Sequence, residues 1–214
     1  MNDEKMNTFP IKLSVGIGRN IAEAEYALKI AKKNKYKPQK FNIQIYSGKK
    51  LNCDKPVPKT IIDAYLRLEK KLSDSPKALL DLEKFKKDPK TKLLNKLGYY
   101  IEKTKLEQKK EYNPDQRFIL LFDADSMHDL NKKYGFAKVD KYLEAIGKAL
   151  NDNIRDSLER KEKDLLKIKD LLNNRKNDSA GDEFIIDLSC DKKHLRTIAE
   201  RYLIKCYEYQ KKIL

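Results

Sequence analysis

The sequence predicts an α+β domain, and three observations carry that prediction. Residues 10–18 and 41–46 alternate apolar and polar with the two-residue period of strands. Residues 117–122 and 184–188 are apolar runs, broken only by Arg117 and Asp187, of the kind found in strands covered on both faces. Between and after them, apolar residues recur at helical spacing. A chain of 214 residues, 40% hydrophobic and 38% charged, buries one good-sized core with at most a small appendage, so a single active site is expected.

Taken in order, residues 10–18 alternate through Ile11, Leu13, Val15 and Ile17 and end in Gly16-Ile17-Gly18, as a half-buried strand meeting a loop. A helix follows over residues 22–33, with Ala24, Ala27, Leu28 and Ala31 on one face, and then a strand over 41–46 with Phe41, Ile43 and Ile45 aligned. Two strands and one helix are too small a unit to stand alone and require a partner sheet. Residues 52–58, with Asp54, Pro56 and Pro58, read as a linker. Helical spacing resumes over 60–87 and is interrupted at 73–76, where Asp74 or Ser75 can cap a new helix ahead of Pro76. A helix over 93–110 precedes the buried strand 117–122, with Asp123 standing where it ends. Residues 130–150 are helical with a break at Gly135 and Phe136. Residues 156–172 read as a highly charged helix, residues 173–179 as a polar connection, and 184–188 as the last strand. The helix over 194–214 turns Leu195, Ile198, Ala199, Tyr202, Leu203 and Cys206 inward.

The net charge of +15 raises nucleic-acid binding, but 40 lysines against 8 arginines, spread along the chain, read first as solvated helix faces. Nucleic acid therefore ranks below a small-molecule partner. Cys53, Cys190 and Cys206 are isolated, so neither a disulfide framework nor a thiolate zinc site is expected, and a reduced, cytoplasmic setting follows. His128 and His194 have no second ligand at zinc spacing. No run approaches the ~20 apolar residues of a membrane span, so a soluble protein is expected.

The chemistry concentrates in carboxylates. Asp123 and Asp125 lie at the exit of one buried strand, and Asp182 and Glu183 lie on the turn into another. Each couplet alone is a cap or a hairpin turn. If the strands are neighbours, the acids converge, and converging carboxylates require a cation between them. Oxygen-only donors favour magnesium or manganese, and two such ions serve in-line nucleotidyl transfer. Lys32, Lys33 and Lys35, after Ser14-Val15-Gly16-Ile17-Gly18 and its helix, are candidates for the phosphate side, against the plain alternative of lysines complementing a helix end.

These residues resemble the GGDEF family of diguanylate cyclases. Asp88-Pro89-Lys90-Thr91-Lys92-Leu93-Leu94-Asn95-Lys96 is similar to D-x-L-T-G-L-x-N-R, departing at Lys90 and Lys92. Asp123-Ala124-Asp125-Ser126-Met127-His128-Asp129-Leu130-Asn131 resembles D-x-D-x-F-K-x-x-N. Gly135 to Asp140 with Leu143 resembles G-H-x-x-G-D-x-x-L, with Phe136 and Val139 replacing His and Gly. Ala180-Gly181-Asp182-Glu183-Phe184 is similar to the signature loop, with its first glycine changed. The family's closing strand S-x-G-x-A, helix A-x-x-A-L-Y-x-A-K and last strand resemble residues 14–18, 24–32 and 41–46, which here come first. The resemblance thus implies a palm, a central and mostly antiparallel sheet flanked by helices, with its segments circularly permuted. Residues 1–50 supply the closing part, 51–87 a helical connector, and 88–214 the main part with a charged helix inserted at about 156–172. A tandem remnant, or completion of a partner chain's sheet, are the alternatives to permutation.

The resemblance also implies roles. Asp123, the Ala124 carbonyl, Asp182 and Glu183 would hold Mg2+ or Mn2+, and Asp182 would lie nearest the attacking 3'-hydroxyl. Asn131 and Asp140 match positions that read the guanine edge. Met127, His128, Gly181, Lys32 and Lys35 complete the substrate side, Lys32 at the phosphate lysine. His128 stands for a lysine, Lys35-Tyr36-Lys37 replaces G-R-N, and the product-inhibition motif R-x-x-D gives way to Leu171-Leu172-Asn173-Asn174. The implied activity is condensation of two GTP to cyclic di-GMP in a homodimer. An inactive GTP-binding module, or a palm making another cyclic nucleotide from ATP or GTP, are the competing readings.

Overall fold

The computed structural model of the chain describes residues 11–33, 41–49, 51, 57–110, 112–159, 171–174 and 183–213. Among the described residues, five strands form one sheet in the order β2-β1-β3-β5-β4. They are β1 (Leu13–Gly18), β2 (Asn42–Ile45), β3 (Arg117–Ala124), β4 (Leu171–Asn174) and β5 (Glu183–Ser189). Only β1 and β2 run parallel; β1–β3, β3–β5 and β5–β4 are antiparallel. The fold is therefore the expected α+β palm, a mostly antiparallel sheet between helices.

The central strand explains the arrangement. Every residue of β3 is buried, which demands cover on both faces. Phe118, Leu120 and Phe122 point to one face with Leu13, Val15, Ile17, Phe184 and Ile186. There they pack on α6 (Phe136–Glu159) and α7 (Leu195–Lys211) through Tyr142, Leu143, Ile146, Ala199, Tyr202 and Leu203. Ile119, Leu121 and Ile185 take the other face, with Ala24 and Leu28 of α1 (Ile21–Lys33) and Tyr99 and Ile101 of α4 (Lys96–Glu107). Outside α4 lie α2 (Lys59–Lys71) and α3 (Pro76–Lys84), which contribute Ile62, Tyr65 and Leu82.

Local chemistry sets the ends of α1 and its depth. The Asn20 side chain accepts the Glu23 amide at 2.9 Å while Glu23 accepts the Arg19 amide at 2.9 Å, a reciprocal start of the capping-box kind. Gly16 lies under the helix. A Cβ there would stand 2.1 Å from the Ala24 carbonyl oxygen and 2.4 Å from the Leu28 nitrogen, so only glycine lets α1 sit this close to β1. Between α2, α3 and α4 the buried Lys86 pairs with Glu83 and, at 2.9 Å, with Glu102. Burial alone would pull this ammonium's pKa down, but its carboxylate partners outweigh that and hold it above the ordinary value.

Several elements differ from expectation. Asp123 is the penultimate residue of β3 and not its terminus, because pairing with Ser14 and Glu183 extends the strand. Leu93 and Leu94 precede α4, which starts after Asn95, whose side chain accepts the Gly98 amide at 2.9 Å. The charged helix expected over 156–172 is not a separate element where it is described: α6 runs on to Glu159, and Leu171–Asn174 is strand. Four residues show no period of their own; their pairing from Leu171↔Asp187 to Asn174↔Phe184 makes the strand. Residues 160–170, the linker core at 52–56 and Cys53 lie outside the described residues. Among the described residues no helix is long and apolar enough to cross a membrane.

Candidate active site

The start of β1, the end of β3 and the start of β5 meet at one edge of the sheet, in the register Leu13↔Ala124, Ser14↔Asp123 and Asp123↔Glu183. Alternation along β3 and β5 puts Asp123 and Glu183 on the α1–α4 face, with Leu121 and Ile185. Directly opposed residues of an antiparallel pair have Cα atoms about 4.5–5.5 Å apart. Two carboxylates thus converge through backbone pairing alone. The α1 helix runs back along β1 and delivers its last turn to the same edge. There Lys32 Nζ lies 2.5 Å from Asp123 Oδ1, with the Asp123 side chain only 7% exposed.

Asp125 is buried and tied to the front of the chain. Its carboxylate accepts the Ser14 hydroxyl at 2.9 Å, and Ser14 Oγ accepts the Asn42 amide at 2.8 Å. Its backbone N–H donates to the Lys12 carbonyl at 2.8 Å. Ser126 follows in the left-handed conformation, φ 60°, and begins α5 (Met127–Tyr134). A non-glycine residue there costs of order 1–2 kcal/mol, and such strain concentrates at functional turns. Met127 is half-buried at the first turn of α5, and His128 is exposed.

Asn131 and Asp140 flank the break at Gly135, whose φ of 78° ends α5. Asn131 Oδ1 is buried without a hydrogen-bond partner among the described residues. Asp140 Oδ2 is 2.7 Å from Lys90 Nζ. Lys90 belongs to a turn in which Asp88 Oδ1 accepts from the Lys90 amide at 3.1 Å and from the Thr91 amide and hydroxyl at 2.7 and 2.9 Å. Lys92 in this turn has φ 60°. Lys92→Gly is therefore expected to stabilise the fold by about 0.5–1 kcal/mol, relief of the left-handed strain less the added freedom of glycine when unfolded. A higher urea midpoint at unchanged slope is the readout.

Of the predicted site residues, the structure brings Lys32, Asp123 and Glu183 to one edge, with Ala124 next to Asp123 at the end of β3. Asp182, Gly181 and Lys35 lie outside the described residues, as does Ala180. Among the described residues no group of three or more His, Cys, Asp or Glu is placed to hold a metal ion. The described donors at the edge are hard oxygens, which suit magnesium or manganese better than softer metals. Sequence reasoning passed over Ser14 and Asn42, which secure Asp125, and treated Lys90 only as a departure from a motif. Ser14 was legible as the serine of S-x-G-x-A, whereas Asn42 had no signal before the β1–β2 pairing was known. A hollow of about 600 Å³ lined by Arg19, Glu23, Tyr46 and Phe118 opens at the opposite end of the sheet, away from these carboxylates.

Residues 85–166 match the family described as diguanylate cyclase, GGDEF domain. The match runs from the Asp88 turn through α4, β3, α5 and α6; β1, β2, β4 and β5 lie outside it. No curated protein matches the chain. The matched stretch carries Asp123, Asn131 and Asp140, and the antiparallel pairing of β3 with β5 sets Asp123 opposite Glu183, outside the match.

Proposed function

We propose that the chain is a nucleotidyl cyclase that condenses two GTP to cyclic di-GMP, one GTP bound in each palm of a head-to-head homodimer. The contact between Lys32 and Asp123 is the observation that carries this reading. A lysine from the first 33 residues reaches a carboxylate of the central strand, so phosphate and metal halves meet within one chain. The same contact, with β1 paired to β3, supports circular permutation over a tandem remnant or an exchanged strand.

Asp123, Glu183, the Ala124 carbonyl and Asp182 would hold Mg2+ or Mn2+. When bound, the metal lowers the pKa of the attacking hydroxyl and neutralises charge on the leaving pyrophosphate. Lys32 holds triphosphate oxygens beside Asp123, and the Asn42–Ser14–Asp125 chain fixes the β3 exit on which both depend. Asn131 Oδ1 offers an acceptor to the N–H edge of guanine, and Asp140 offers a carboxylate. Each 3'-oxygen attacks the α-phosphorus of the other GTP. Two phosphodiester bonds form, two pyrophosphates leave and two protons pass to solvent.

Product analysis of the purified chain with Mg2+ and either GTP or ATP tests the proposal. A cyclic dinucleotide from GTP is expected, and Lys32→Met is expected to lower its rate by about a hundredfold with far-UV circular dichroism unchanged. Absence of both a cyclic product and nucleotide binding overturns the reading. Tight binding with intact nucleotide recovered assigns the chain instead to a silent GTP-binding module, and a product from ATP alone assigns it to a palm of other specificity.

A further inference from the structure

We infer that Lys90 is a specificity-determining residue that reads the O6 edge of the base together with Asp140, an inference that rests on the base site proposed above. The turn carrying Lys90 is fixed on both sides. Asp88 accepts three hydrogen bonds from Lys90 and Thr91. Thr91 packs against α6 at Gly147, where an added Cβ would stand 3.0 Å from Thr91 Cβ. Gly147 and Asp140 are seven residues apart, two turns along one helical face, a distance of about 10 Å. The turn therefore docks at Gly147 and sends Lys90 along that face to Asp140, which it meets at 2.7 Å.

The pair has the polarity of one base. Guanine presents N1–H and N2–H donors beside the O6 acceptor. A carboxylate accepts from the former, and an ammonium beside it donates to the latter. Adenine presents an N6 donor where guanine has O6, and faces the Lys90 ammonium with like polarity. Lys90 also offsets the charge of Asp140, so the carboxylate stands ready as an acceptor beside a triphosphate without adding an unpaired negative charge. With a side chain 41% exposed, the ammonium is free to swing between Asp140 and a bound base.

Calorimetric titration of the full chain with GTP, 6-thio-GTP and ITP in Mg2+ tests the inference. Sulfur at position 6 is a weak acceptor, while both guanine donors are kept. Wild type is expected to prefer GTP to 6-thio-GTP. Lys90→Met is expected to shrink that preference by about tenfold or more, the scale of one charge-assisted hydrogen bond, and Lys90→Arg to keep it. An unchanged ratio in Lys90→Met overturns the inference. Asp140→Ala separates the two layers. It is expected to weaken GTP and to erase any preference for GTP over ITP, which lacks the 2-amino group. If Asp140→Ala leaves GTP affinity unchanged, or wild type binds no GTP, the base site itself fails and the role of Lys90 with it. If Asp140→Ala behaves as expected while Lys90→Met is silent, only the role of Lys90 is lost.

Discussion

Glu183→Gln is expected to reduce cyclic dinucleotide formation by about 10²–10³-fold, the scale seen when one preorganised charge-stabilising group is removed from an active site. Glutamine keeps the size and the β5 backbone, so Glu183 still stands opposite Asp123 in the sheet. What is lost is one negative oxygen donor for a divalent ion. Raising Mg2+ is expected to recover part of the rate, because a weakened metal site is refilled by mass action. A variant as active as wild type at every Mg2+ concentration would remove Glu183 from the metal site. A variant that unfolds would show it in circular dichroism, and Glu183→Asp, which retains the charge, then carries the test.

The carboxylates were legible in the sequence because the strands bearing them are short, mostly apolar runs rich in Ile, Leu and Phe. Residues 117–122 and 184–188 have the composition of strands buried on both faces, and each borders an acidic couplet. Their adjacency is a fact of pairing, which no local pattern specifies. Leu171–Asn174 shows the limit: two leucines after a charged segment read as a helix end, and only the ladder with β5 makes them strand. Lys90 shows another. In the motif it is only a departure, and its partner lies 50 residues on, across a turn held by Asp88.

Asp187→Ala is expected to cost about 3–5 kcal/mol, the penalty for stranding a buried charge, and to lower Tm by about 6–20 °C for a chain of this size. Asp187 on β5 accepts Arg117 Nε at 2.8 Å and the Tyr99 hydroxyl at 3.0 Å, while Arg117 Nη2 reaches its carbonyl at 2.8 Å. All three residues are buried between the sheet and α4. Burial first, and then the Asp187 charge, push the Tyr99 hydroxyl well above its ordinary pKa, so it remains a donor. Arg117 cannot shed its proton to escape. Replacing the whole set, Arg117→Met with Asp187→Leu and Tyr99→Phe, is expected to restore most of the loss, since well-packed apolar groups match or exceed a buried pair. Thermal unfolding followed by circular dichroism checks both. Equal losses in the single and triple variants would show that packing, not charge, holds this layer.

The hydrogen bond between Ser14 and Asp125 joins positions 111 residues apart, and that separation has a consequence for biosynthesis. At about 5–20 residues per second, β1, α1 and β2 are complete roughly 4–16 s before β3 is made. During that interval one side of β1 is an unpaired edge, of the kind that templates association with other chains. Closing so long a loop adds little to the equilibrium cost, because that cost grows only logarithmically with length. It weighs on the rate, since nonlocal pairing slows folding. The strand on which the Lys32 helix rests must wait, one edge unpaired, for the centre of its own sheet.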